Sequence, residues 1–191
     1  MIWRVRRVLT GHDAEGRSSF IADGLAQNVK EMLPGLALTD LWETSGAPAS
    51  NAGDKDAAAR PVHLEPPKNG TILRIVEFPP DSAWRHATDG KDGFKSIGAG
   101  HAQDRRSADP MMHKTSTVDY IIVLKGEIHA VMETGEKLLR AGDVLVQRGT
   151  NHSWSVRGNE PCIVAAVLVS AKPVAPPSEK VRSKKANKKK K

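Results

Sequence analysis

At 191 residues with 39% hydrophobic content, the chain is long enough for one domain with its own core. Only 4% of it is aromatic, so that core has to be built mainly from Val, Ile, Leu and Ala. The net charge of +7 belongs to one end: from Lys172 onward nine Lys or Arg stand against one Glu, a charge of +8, which leaves residues 1–171 at −1 and argues against a nucleic-acid-binding domain proper.

Taken in order, the chain opens on MIWRVRRVLTGHD, whose arginines precede no long apolar run. It reads neither as a signal peptide nor as a membrane span, and a cytoplasmic location is expected. The single cysteine, Cys162, permits no internal disulfide, fits a reducing compartment and reads as a small core hydrophobe. Residues 2–9 alternate as a strand, GHDAEG is a turn signal, and SSFIAD follows as a second strand, together a hairpin. LALTDLWET is a third strand and SGAPASNAGDKDAAARP a loop. TILRIVEF is a strand stopped by Pro79-Pro80. Residues 1–78 are thus expected to complete or cover the main body.

Residues 79–112 carry no strand pattern, and a connection of that length is a lid, a disordered stretch or the host of a short helix. It contributes His86 and His101. GAGHAQ is not a dinucleotide fingerprint, because Gln103 stands where the third glycine would be.

The organising stretch is His113–Trp154, in which TVDYIIVL, EIHAVM and DVLVQ read as short strands separated by Lys125-Gly126, Glu133-Thr134-Gly135 and Ala141-Gly142-Asp143. Strands so closely spaced argue for an all-β sandwich or barrel. Period 2 puts His113, Thr115, Thr117, Asp119, Ile121 and Val123 on one face. The opposite face, Val118, Tyr120, Ile122 and Leu124, is also apolar and needs a cover, for which the upstream strands or a second subunit are the choices. CIVAAVLVS is a last strand buried on both faces, and the lysine-rich tail, residues 172–191, is expected to be disordered. That tail reads either as a solvated solubility tail or as a nonspecific arm for nucleic acid.

The segment resembles the two motifs of the cupin superfamily, a small jelly-roll-like β-barrel that often holds a metal. Asp119 and Gly126 stand in the relation of the first motif's acid and glycine, and His113 matches its first histidine, while Thr115 occupies the place of the second. Gly142, Gly149 and His152 match the second motif, with Arg148 one short of its proline and Val156 in place of its asparagine. The pattern is closest to single-domain bacterial and fungal cupins. The resemblance implies a single cupin barrel whose motif core is residues 113–171, with N-terminal strands packed outside. It also implies His113, Asp119 and His152 as ligands of a divalent metal (Fe, Mn, Zn or Ni), with no organic cofactor. Two imidazoles and a carboxylate leave open positions on such an ion. His101 or water supplies a fourth ligand in that reading, and Thr115, Gln147 and Asn151 orient ligands or substrate. The competing structural reading has Asp119 accepting hydrogen bonds from Arg148 or Asn151, and His152 packed beside Trp154.

His12, His63 and His86 read as surface residues, and His129 lies in a strand with its facing open. No Gly-x-Ser-x-Gly elbow, phosphate loop, His-Glu-x-x-His or cysteine pair is present. Two function classes remain. One is a metal-dependent enzyme that oxygenates, decarboxylates or isomerises a small organic molecule. The other is a non-catalytic barrel that binds a small ligand with its metal site decayed. A homodimer is expected, and no membrane partner.

Overall fold

The structure is a computed structural model that describes residues 2–53, 55–86 and 88–174. The tail expected to be disordered lies, from residue 175 on, outside the described residues. No helix among the described residues is long and apolar enough to cross a membrane.

Eleven strands form three sheets: β1 (Arg6–His12), β2 (Ser18–Leu25), β3 (Val29–Leu33), β4 (Leu36–Thr44), β5 (Thr71–Phe78), β6 (Thr117–Lys125), β7 (Glu127–Met132), β8 (Gly135–Arg140), β9 (Val144–Arg148), β10 (His152–Ser155) and β11 (Cys162–Ser170). The strands β3-β4-β5-β11-β6-β9, in that order, make one antiparallel sheet and β10-β7-β8 a second, while β1 and β2 pair only with each other. The fold is a cupin-type β-barrel, with its hydrophobic core between the two larger sheets.

Alternation explains which face each strand buries. Along β6, Thr117, Asp119, Ile121 and Val123 are buried while Tyr120, Ile122 and Leu124 are exposed. On β5, Ile72, Arg74 and Val76 point inward, and on β4 Leu36, Leu38 and Asp40 do so. Because Asp40 and Arg74 are direct cross-strand partners, an acid and a base meet inside the barrel wall.

Three strands were not marked by their sequences: β3, β8 and the four-residue β10. β3 is built on VKEML, and β8 on GEKLLR, where two leucines are the only apolar residues. The upstream strands also act differently from expectation. Rather than layering over β6, β3 to β5 extend the sheet that contains it, so the outer face of β6 stays bare.

Residues 79–112 are a packed connection. One 3-10 turn (Asp81–Ala83) and a six-residue helix, α1 (Lys91–Ser96), bring Trp84, Phe94, Ile97 and Met111 into the core. Arg85 fixes the segment to β10: it pairs with Asp81 at 3.0 Å and Asp109 at 2.7 Å and donates to the Trp154 carbonyl at 2.6 Å. Asp81 in turn accepts from Ser155 Oγ at 2.6 Å and from the Val156 N–H at 3.1 Å.

The turn between β6 and β7 depends on Gly126, held at φ +76°. A Cβ there would stand 2.8 Å from the Pro161 carbonyl oxygen, which belongs to rigid backbone. Gly126→Ala is therefore expected to destabilise the protein by about 1–3 kcal/mol, read as a lower thermal midpoint. An unchanged midpoint would show that the turn relaxes freely.

Candidate functional site: a titratable wall in an apolar cavity

Local backbone pairing brings His113 and His152 together. Each N–H donates to the other's carbonyl, His113 to His152 at 2.8 Å and His152 to His113 at 2.9 Å, an isolated antiparallel bridge between the segment entering β6 and the start of β10. The two rings consequently lie with centroids 4.2 Å apart. Phe94 covers the outer side of His113 at 5.3 Å, and Trp154 meets His152 edge-on at 5.7 Å.

Both imidazoles are held in one tautomer. Nδ1 of His113 lies 2.8 Å from the Met111 carbonyl and Nδ1 of His152 lies 2.9 Å from that of Thr150. A carbonyl only accepts, so each Nδ1 carries the proton and each Nε2 keeps its lone pair. Burial drives the basicity of both rings down, and the neighbouring His113 adds to the effect on His152, which falls to about 3. At neutral pH both rings are uncharged.

Asp119 has the opposite environment-driven shift. Burial raises its carboxyl to about 6, against the lowering effects of the Thr117 hydroxyl and the Arg74 charge. Its Oδ1 has no hydrogen-bond partner. The alternative in which Arg148 or Asn151 satisfies this carboxylate does not occur: Asn151 donates to Asp104 at 2.9 Å instead. Arg74 lies in the same wall, 2% exposed, with most of its donors used: Nε and Nη2 on Asp40 at 2.8 and 3.1 Å, Nη2 also on the His63 carbonyl at 2.6 Å, and Nη1 on the Leu64 carbonyl at 3.3 Å. Arg74 is thus a structural charge that biases Asp119 from a distance.

These groups line one cavity of about 100 Å³ between the sheets. Its wall is otherwise apolar, drawn from β3 to β6, β10, β11 and the 79–112 segment, with Phe78, Trp84, Phe94 and Trp154 as the large rings. Of the site residues expected from sequence, His113, Thr115, Asp119 and His152 line it. Thr115 bonds Thr117 hydroxyl to hydroxyl at 2.7 Å. Gln147 is buried beside Asp119 on β9, where it donates to the Thr150 carbonyl at 3.1 Å and to the Thr150 hydroxyl, so it shapes the loop carrying His152. Asn151 lies in an outer groove with Asp104 and Glu133, and His101 sits at the surface against Glu65 at 2.9 Å. Neither faces the cavity, since both belong to loops whose direction strand parity does not fix. Missed from sequence were the Asp40–Arg74 pair and Trp84. The signal for the pair was a lone charge at inward parity in each of two apolar strands.

The fold family implies a metal, and the donors present meet it only in part. Two Nε2 lone pairs, freed by carbonyl-anchored Nδ1 atoms, suit a metal ion. A third donor does not join them: among the described residues no three His, Cys, Asp or Glu side chains form a group that could hold one. Shared parity sets the face and not the distance, because six extended residues span up to about 20 Å. The residues present amount to a two-imidazole half-site.

Two facing sheets with an apolar cavity between them, and ionisable groups in its wall, make a β-barrel with an internal pocket. No family model matches the sequence. Phomopsin biosynthesis cluster protein C' of Diaporthe leptostromiformis is 30% identical over 178 residues, which cover 88% of this chain and 79% of that protein. The cupin-domain-containing oxidoreductase virC of Hypocrea virens is 28% identical over 181 residues, 90% of this chain and 78% of the relative. Among solved structures, the Schizosaccharomyces pombe Cnp3 cupin domain is 11% identical over 97% of this chain and 96% of that one, with a TM-score of 0.45. The chain belongs to the cupin superfamily.

Proposed function

We propose that the protein is an enzyme acting on a small, largely apolar organic molecule inside the barrel. Proton transfer by Asp119, with the neutral His113–His152 pair as hydrogen-bond acceptors, is its chemistry. The observation that carries this reading is the Asp119 Oδ1, buried without a hydrogen-bond partner in the wall of an otherwise apolar cavity, where burial raises the carboxyl to about 6. A carboxyl poised near pH 6 gives and takes protons in the physiological range. Neutral imidazoles with free Nε2 atoms in the same wall accept a hydrogen bond. Isomerisation and decarboxylation need only such a donor and acceptor beside a carbonyl, whereas oxygenation belongs with a metal-bound form. Relatives named cupin-domain-containing oxidoreductases support an enzyme over a purely binding barrel.

The test is proton NMR in D2O on a panel of small ketones and β-keto acids. Wild-type protein is expected to catalyse deuterium incorporation or loss of CO2, and Asp119→Asn and His152→Ala to reduce kcat/KM by roughly 100- to 10,000-fold. Equal turnover by wild type and both variants would end this assignment. Saturable binding without turnover would favour the ligand-binding barrel.

A second reading, in which Fe, Mn, Zn or Ni sits on the His113–His152 half-site with water completing its ligands, draws on the anchored Nδ1 atoms. Elemental analysis of protein purified without chelator decides it. Stoichiometric metal that disappears in both His113→Ala and His152→Ala supports this reading, and metal that persists in either variant refutes it.

A further inference from the structure

Taking the cavity as the reaction site of the reading above, we infer that it selects an uncharged carbonyl compound carrying its own hydrogen-bond donor, and that the indole N–H of Trp84 holds the carbonyl oxygen. Carboxylates and phosphates are excluded.

The polar atoms of the wall are acceptors nearly throughout. His113 and His152 commit their Nδ1 protons to the Met111 and Thr150 carbonyls, so each offers a bare Nε2 lone pair. Asp119 Oδ1 is buried with no partner. The Thr115 hydroxyl is already bonded to that of Thr117. A ligand whose polar atoms only accept leaves all of these unanswered. One with a hydroxyl or an amide N–H satisfies at least one of them.

Free positive charge is missing from the same wall. Arg74 is the one arginine or lysine lining the cavity among the described residues. Its Nε and both Nη nitrogens already bond Asp40 and the His63 and Leu64 carbonyls. Asp40 matches the charge of Arg74 and Glu43 that of Arg60, which leaves Asp119 as the unmatched charge in this part of the wall. An entering carboxylate or phosphate would give up its water and meet an acid instead of a base.

One donor stands ready. Trp84 lines the cavity at 5% exposure, and its Nε1–H is buried without a partner. The residue is held in place from behind: it follows the 3-10 turn Asp81–Ala83, and the Arg85 guanidinium, itself fixed by Asp81 and Asp109, lies 5.0 Å from the centre of its ring. A desolvated N–H with nothing to bond destabilises the empty protein, and a ligand carbonyl relieves it. Phe78, Phe94 and Trp154 supply further ring faces, which suit a flat unsaturated body. A volume of about 100 Å³ limits that body to roughly the size of benzene.

NMR titration at pH 8 of the full chain, freed of metal by chelator, tests this with benzamide, benzoate and toluene. Benzamide, uncharged with both a donor and a carbonyl, is expected to bind at least roughly 100-fold more tightly than isosteric benzoate. Trp84→Phe keeps a ring and removes the N–H, and is expected to lower the ratio of benzamide to toluene affinity roughly 3- to 10-fold. Taking the ratio cancels the effect of the space that the smaller ring opens. Asp119→Asn removes the unmatched charge and is expected to tighten benzoate binding roughly 10-fold or more. Benzoate bound by the wild type as tightly as benzamide, an unchanged ratio in Trp84→Phe, or no binding of any probe would each overturn the inference. In the deuterium assay the ketones, and not the β-keto acids, are then expected to turn over. Equal turnover of both would overturn the selection and leave proton transfer by Asp119 standing. Benzamide bound in preference to benzoate, with neither ketones nor β-keto acids turned over, would support the selection and end the proton-transfer reading.

Discussion

Asp40→Asn is expected to cost the protein about 3–5 kcal/mol, a drop of roughly 6–20 °C in thermal midpoint for a chain of this size. Asp40 is fully buried and its carboxylate receives Arg74 through two donors, at 2.8 and 3.1 Å, and Arg60 through a third at 2.9 Å. Burial works against the charged form of Arg74, and the Asp40 carboxylate is the largest influence opposing it. Taking away that negative charge while leaving the guanidinium in place produces an uncompensated buried cation. Arg60 has Glu43 at 2.5 Å as a second partner, so the damage should concentrate on Arg74. The control is Asp23→Asn, which removes the acid from a pair with Arg6 of similar geometry at 2.6 Å but 69% and 49% side-chain exposure. That variant should leave the thermal midpoint close to that of the wild type, because water and salt screen an exposed pair. Equal losses in the two variants would mean that position in the barrel wall contributes nothing.

The same pair shows where reading the sequence succeeds and where it stops. β4, β5 and β7 stand where the apolar runs and their Pro or Gly stops placed them, because steric alternation and turn chemistry are local properties. Parity along β6 put Thr115, Thr117 and Asp119 on the interior side, where they are found. β3 and β8 escaped because charged edge strands lack the pattern that burial writes into central ones. Asp40 and Arg74, 34 residues apart, become partners through strand register, which one sequence does not disclose. His101 was grouped with the site by residue type alone. The fold instead turns it to the surface against Glu65, and Trp84 and Phe94 from the same connection reach the cavity. A loop's direction is set by what it packs on, so its residues are the last that composition can place.

Asp119→Asn is expected to make chelator-treated protein more stable at pH 8, by about 3 kcal/mol, and to change it little near pH 4. Burial raises this carboxyl from 3.8 to about 6, a gap of about two pH units, and each unit corresponds to about 1.4 kcal/mol. Below 3.8 the group is protonated in folded and unfolded chains alike, and its contribution is at its most favourable. Between 3.8 and 6 the folded chain keeps a proton that the unfolded chain has released, so stability is lost as pH rises through this window. His152 has the opposite sign. Its value falls from 6.5 to about 3, so the unfolded chain binds the proton first and stability is lost as pH falls below 6.5. Burial lowers His113 as well, so between about pH 4 and 6 the Asp119 slope opposes the slopes of both histidines in the wild type. In the Asp119→Asn variant only the histidine slopes remain, and the thermal midpoint should then fall steadily on acidification across that range. Thermal melts of both proteins from pH 4 to 8 separate these behaviours, and a variant less stable than wild type at pH 8 would refute the account. A carboxylate that weakens the fold at neutral pH, yet stands in the wall of an apolar cavity, supports the proposed role of Asp119 in acting on a bound molecule.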